Sequence, residues 1–244
     1  MRLLAHIAAT ALRTATATLC AVTALAPTTA CSPVFAQQHD TAPFARLTGP
    51  EVADKALAAT RAAKSVRITM GTKSPDGTPV EAYVATDIRG ECTVTLSMGA
   101  AGTMDLVRTG GTVYTQSDEA MLRAASAGRR HTDTDAEVKK LTGRWVKADR
   151  ADRFTAQALG YCDRKGFLDR LAENSDTAHK GRATTVGSLP ALSLTGRAGR
   201  GTWQAAVAAE GRSHLLKLRF STGTPLTVEF TEFDKPFTVK RPTV

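Results

Sequence analysis

The sequence predicts an α+β fold: one long, curved antiparallel β-sheet with helices on its concave face. Two observations predict this. Apolar residues recur at every second position in two blocks, residues 65–116 and from Ala183 onward, the pattern of strands with one buried face. Before the first block, and between the two, the period lengthens to that of helices. A third observation sets the connectivity. The gaps between strand segments are short and rich in Gly, Pro and Ser, which favours hairpins over crossovers.

The elements follow in order. Thr48-Gly-Pro-Glu51 has the form of a helix start, with a hydroxyl cap, an early proline and a glutamate three positions on. The alanine-rich segment from Glu51 to Lys64 carries Val52, Ala56, Ala59 and Ala63 at helical spacing. In "SVRITM" Val66, Ile68 and Met70 share one face, and "SPDGTP" is a turn. "VEAYVATDI" alternates Val80, Ala82, Val84 and Ile88 with more polar neighbours, and "CTVTLSM" alternates Val94, Leu96 and Met98. "TMDLVRTGGTVYTQ", which includes Leu106, reads as a hairpin with Gly110-Gly111 at its tip. "SDEAMLRAASA", capped by Ser117, and "DTDAEVKKL" read as helices, "GRWVKAD" as a brief strand, and "DRKGFLDRLAE" as a helix with Phe167, Leu168 and Leu171 on one stripe. "TTVGSLPALSLTG", "GTWQAAVAAEG", "SHLLKLRFS", "PLTVEFTEF" and "PFTVKRP" read as strands.

A sheet of about nine or ten strands curls rather than staying flat. With a one-sided apolar face it forms a half-barrel whose groove the helices plug or line. The apolar stripes name candidate cavity-lining residues: Val66, Ile68, Met70, Val84, Leu96, Met98, Leu106, Leu216, Leu218 and Val228. The same residues would form a filled core in a protein with no cavity, each stabilising the fold by ~1.5–3 kcal/mol on burial. Periodicity does not choose between these outcomes.

The first 30 residues contain Arg2 and Arg13, no acidic residue, and an apolar run from Thr14 to Ala26 stopped by Pro27. A basic start, an apolar run and small residues before a cut make an export signal. The run is shorter than the ~20 residues a membrane-spanning helix needs. Residues 1–30 are therefore expected to be the signal, 31–49 a flexible tether, and 50–244 a single carrier-like half-barrel domain. Cys31 follows Ala30, as in a lipid-attachment signal, although Thr28 stands where such signals usually have Leu. The alternative is cleavage after Val34-Phe35-Ala36 and secretion. The polar stretch from Gln37 to Gly49 reads as a tether, which is useful to an anchored domain, so Cys31 is expected to carry the lipid on the outer face of the cell membrane.

Cys92 and Cys162 lie in the body of an exported domain, where thiols tend to oxidise, and are expected to pair. They are too few and too far apart for zinc. The chain has 32 basic and 23 acidic residues, but the basic ones are dispersed among acids with only short pairs. No aromatic-interleaved basic helix is present, so nucleic acid is excluded as a partner. The histidines at 39, 131, 179 and 214 fall in no catalytic motif, and there is no Gly-x-Ser-x-Gly elbow. "HTDTDAE" lacks the glycine and distant glutamate of a calcium loop and reads as a helix cap. Gly196, Gly199 and Gly201 lie between strands rather than at a helix start, so no nucleotide or phosphate fingerprint exists. No catalytic residue, metal site or cofactor is expected.

The arrangement resembles the LppX/LprG-type envelope lipoproteins of actinobacteria. The likeness covers roughly residues 50–242. It rests on "GTMDLVRTGGTVYTQSDEAMLRA", "GRWVKAD", "TTVGSLPALSLTG" and the closing "LTVEFTEFDKPFTVKRP". The resemblance implies the LolA-like half-barrel fold and a cavity between sheet and helices that holds an apolar or acylated lipid. It implies a non-enzymatic binding or carrying role. The alternative is a cell-surface sensing or protein-interaction domain with a filled core, whose partner the sequence does not name. The chain departs from the family in being poor in aromatic residues, at 5%, which does not bear on a cavity, since alkyl chains are content with aliphatic walls.

Overall fold

Period-two patterning becomes rows of side chains across a sheet. The structure is a computed structural model and describes residues 43–127, 131–221 and 224–244. Helix α1 (Gly49–Ala62) leads into strands β1 (Ser65–Lys73), β2 (Pro79–Asp87), β3 (Cys92–Ser97), β4 (Thr103–Thr109) and β5 (Thr112–Ser117). The middle holds α2 (Glu119–Ala125), α3 (His131–Leu141), the short β6 (Val146–Lys147), α4 (Arg153–Tyr161) and α5 (Arg164–Ala172). Strands β7 (His179–Val186), β8 (Leu189–Ala198), β9 (Gly201–Ala208), β10 (Leu215–Phe220) and β11 (Leu226–Thr231) follow.

These eleven strands form one antiparallel sheet in the order β6-β5-β4-β3-β2-β1-β11-β10-β9-β8-β7. Two meanders run outward from a central β1–β11 pair, in which Met70 faces Val228 and Ile68 faces Phe230. The sheet stays open, an α+β half-barrel as the sequence predicts. One transverse row runs through Leu194, Ala205, Leu218, Val228, Met70, Ala82, Leu96 and Met104, in register across eight strands. None of these side chains is more than 8% exposed. The helices cover this inner face with Val52, Ala56 and Leu57 of α1, Met121 of α2, Phe154 and Ala158 of α4, and Leu168 of α5.

Local chemistry explains the element ends. Thr48 and Glu51 close a reciprocal capping box on α1, with the Thr48 N–H donating to Glu51 at 2.7 Å. The cap of α2 is Asp118 rather than the expected Ser117, which ends β5. A carboxylate does two jobs there, accepting from Met121 N–H at 2.7 Å and from Thr103 N–H at 2.8 Å. Helix α4, which periodicity does not assign, starts at Asp152, whose side chain accepts from Thr155 N–H at 2.9 Å. The segment "TTVGSLPALSLTG" is a hairpin and not one strand, because Gly187 turns the chain at φ +58° between β7 and β8. Ile88 falls beyond β2 and is 64% exposed.

The expected last strand "PFTVKRP" does not form. Glu232 and Asp234 adopt positive φ, 51° and 59°, and turn the chain out of the sheet. Asp234 is held there by hydrogen bonds to both Lys64 N–H and Ser65 C=O. The tail then crosses the outer face from Arg67 and Ala85 to β5, where the Arg241 guanidinium donates to the Tyr114 hydroxyl. The expected tether is also shorter at its C-terminal end. Phe44 is 4% exposed in the core, and its carbonyl accepts from Lys180 at 3.1 Å. Residues 31–42, with Cys31, and the signal at 1–30 lie outside the described residues.

Candidate functional site

Cys92 and Cys162 form the predicted disulfide. Cys92 begins β3, and Cys162 is the C-cap of α4, one residue before the cap of α5. The bond therefore fastens the joint of the α4–α5 hairpin to the sheet. Phe154, Ala158 and Leu168 fill part of the space between the hairpin and the sheet. Beside β1, β2, β10 and β11 it opens.

There a cavity of about 640 Å³ lies between the α4–α5 hairpin and the sheet. Met70, Thr72, Val80, Ala82, Phe220 and Leu226 make its floor. Tyr161 and Gly160 of α4, and Phe167 and Leu171 of α5, make its roof. Gly160 contributes to the opening by what it lacks: a Cβ there would meet nothing within 4 Å. A narrow crevice of about 40 Å³ shares Leu171, Asn174 and Phe220 with the cavity and reaches Trp203, Leu194 and Leu215 beneath α1. Trp203 lies flat against Gly196 on the neighbouring strand, where any Cβ would come 2.3 Å from the indole.

Polar groups sit on the cavity wall at Gln157, Arg170, Asn174, Thr72 and Thr224. Arg170 is exposed and is the single charged residue among the described wall residues. Its sequence neighbour Asp169 is occupied by Lys165 at 2.6 Å and Arg61 at 3.0 Å. Those cations, Lys165 foremost, hold the Asp169 carboxyl below its usual range. The described wall contains no His, Cys, Ser, Asp or Glu; its hydroxyls are those of Thr72, Tyr161 and Thr224. Among the described residues no three His, Cys, Asp or Glu side chains gather as a metal site. His214 lies elsewhere, stacked on Phe233 at 3.9 Å.

The ten candidate lining residues separate. Met70 lies on the cavity floor and Leu218 on the crevice wall. Val66, Ile68, Val84, Leu96, Leu106 and Val228 are buried where helices and sheet meet, and Met98 is half-buried against them. Leu216 sits apart, in a second cluster with Ala191, Ala206 and Ala208. A register shift between Leu215 and Lys217 turns Leu215, not Leu216, toward the inner face with Leu218. Tyr161, Phe167, Leu171, Phe220 and Leu226 line the cavity without having been singled out for it. The Phe167–Leu171 stripe on α5 is the one sequence signal that points there.

No family model and no curated protein matches the sequence. Solved structures do match in shape. LprF from Mycobacterium bovis superposes with a TM-score of 0.52 at 10% identity, over 80% of this chain and 97% of that one. The lipoprotein LppX from Mycobacterium tuberculosis gives 0.50 at 11% identity, over 78% and 97%. The chain has the LppX-type half-barrel fold. At this identity the likeness is one of architecture: a large open antiparallel sheet with helices on one face.

Proposed function

We propose that the protein is a non-enzymatic envelope binding protein that holds the alkyl or acyl chain of a lipid-like ligand under the α4–α5 hairpin. The cavity of about 640 Å³ carries this reading. It falls within the ~300–1,000 Å³ of ordinary small-ligand sites, and its floor and roof are mainly apolar. The half-barrel shared with a lipoprotein, LppX, supports the same reading. So does the N-terminal pattern of residues 1–31, from which we infer export and attachment through Cys31, with residues 43–244 as the ligand-binding body. No helix among the described residues is long and apolar enough to cross a membrane.

The physical expectation is specific. Each methylene moved from water into the cavity contributes about 0.8 kcal/mol, or roughly fourfold in affinity. Affinity should rise with chain length at that rate and level off once the cavity is full. The test has two parts. Native mass spectrometry of the protein extracted from its own envelope reports a co-purifying lipid, and the same spectrum shows whether the chain starts at an acylated Cys31 or after Ala36. Titration with amphiphiles of increasing length then measures the slope, with Leu226→Trp, which narrows the floor, expected to level off at a shorter chain. No bound lipid together with a flat length dependence would refute the reading.

A further inference from the structure

We infer that Arg170 makes the cavity selective for amphiphiles with an anionic head, a carboxylate or phosphate attached to an apolar chain. The inference rests on the lipid-binding reading above and names the ligand class for that site. Three observations carry it. Arg170 is on the cavity wall, and no acid is among the described wall residues. Arg170 meets no carboxylate among the described residues, so its charge on the wall is not neutralised by an ion pair. The adjacent acid in the chain, Asp169, is paired with Lys165 and Arg61.

The surroundings suit a head group. Asn174 follows Arg170 by four positions and so shares its side of the α5 end, while Phe167 and Leu171 supply the apolar roof. Gln157 brings a second amide from α4 to the same wall. A chain lying over Met70 and Leu226 would leave its head among these donors. A guanidinium forms paired, charge-assisted hydrogen bonds with carboxylate or phosphate, and it repels a quaternary ammonium. Because Arg170 is exposed, water screens part of the attraction, and the preference over a neutral head of equal chain length should be about tenfold.

The test uses the delipidated full protein and four probes below their micellar concentrations: dodecanoate, dodecyl phosphate, dodecanol and dodecyltrimethylammonium, with inorganic phosphate as a chain-free fifth. Calorimetric or dye-displacement titration gives each affinity. The expected order is anionic over neutral over cationic, with no binding of inorganic phosphate. In R170Q the ratio of dodecanoate to dodecanol affinity should collapse toward one, and R170K should retain most of it. Thermal unfolding verifies that both variants fold. Equal affinities for all heads in the wild type, or a ratio that survives in R170Q, overturn this inference while leaving the cavity reading intact. Inorganic phosphate binding as well as dodecyl phosphate would overturn it too, making the site a free-anion site. If no probe binds the folded protein, both readings fall.

Discussion

The Cys92–Cys162 bond closes a loop of 70 residues, from the start of β3 to the joint between α4 and α5. Breaking it lets the unfolded chain explore the conformations that the loop forbids. For a loop of that length the chain-entropy relation gives about 15 cal/mol/K, or about 4 kcal/mol at 25 °C. In a domain of this size each kcal/mol moves the melting temperature by ~2–4 °C, so the whole effect is roughly 8–16 °C. The perturbation is C92A/C162A, compared with the oxidised and the reduced wild type. Circular dichroism follows thermal unfolding, and hydrogen exchange follows each element. The reduced wild type isolates the chain term, since no atom other than the bond is removed. Its exchange should quicken first in α4 and α5, the helices that the bond pins and that roof the cavity. If the reduced protein melts within about 2 °C of the oxidised one, the bond is not what restrains the unfolded chain, and the argument fails.

Two further outcomes follow from buried polar groups. The Thr60 hydroxyl donates to Ala56 C=O at 2.8 Å and accepts from Leu215 N–H at 2.9 Å, beside the register shift in β10. Thr60→Val strands that N–H in a buried site and should lower stability by about 1–3 kcal/mol, while Thr60→Ser keeps most of it, as urea midpoints will show. His214 is buried against Phe233, and burial is the main reason its pKa is lowered from 6.5; Asp234 opposes the shift and Arg212 adds to it. The fold therefore favours the neutral imidazole, and the unfolded chain takes up the proton first. The stabilisation is complete above pH 6.5 and is lost as pH falls from there toward the folded-state pKa. Urea midpoints measured from pH 7.5 downward should fall through that window, and His214→Leu should flatten the fall.

Much of the architecture was legible because it depends on local rules. Alternation in "SVRITM" and "CTVTLSM" placed Ile68, Met70, Val94 and Leu96 on one face, and the sheet keeps them there. The capping box at Thr48 and Glu51 marked the start of α1. The two cysteines of the domain body were recognisable as a pair from the export that the N-terminal pattern leads one to expect. Departures arose where one interaction outweighed the pattern. "PFTVKRP" alternates like a strand, but hydrogen bonds from Asp234 to the start of β1 send the tail over the outer face instead. "SHLLKLRFS" alternates too, yet a single register shift moves Leu216 away from Leu218.

The cavity belongs to the second group for a more general reason. An inward-facing apolar residue looks the same in sequence whether a helix packs onto it or leaves a space above it. Leu96 and Leu106 lie in the filled part of the inner face, while Met70, Val80 and Leu226 lie where the roof stands clear of the sheet. That difference depends on where the α4–α5 hairpin comes to rest, and its place is fixed by the bond from Cys162 to β3 and by the packing of Leu168. The sequence by itself determined which residues turn inward, because side-chain direction along a strand follows from backbone geometry alone. Only the tertiary structure decided which of them meet a neighbour and which meet empty space, because that depends on contacts between elements distant in the chain.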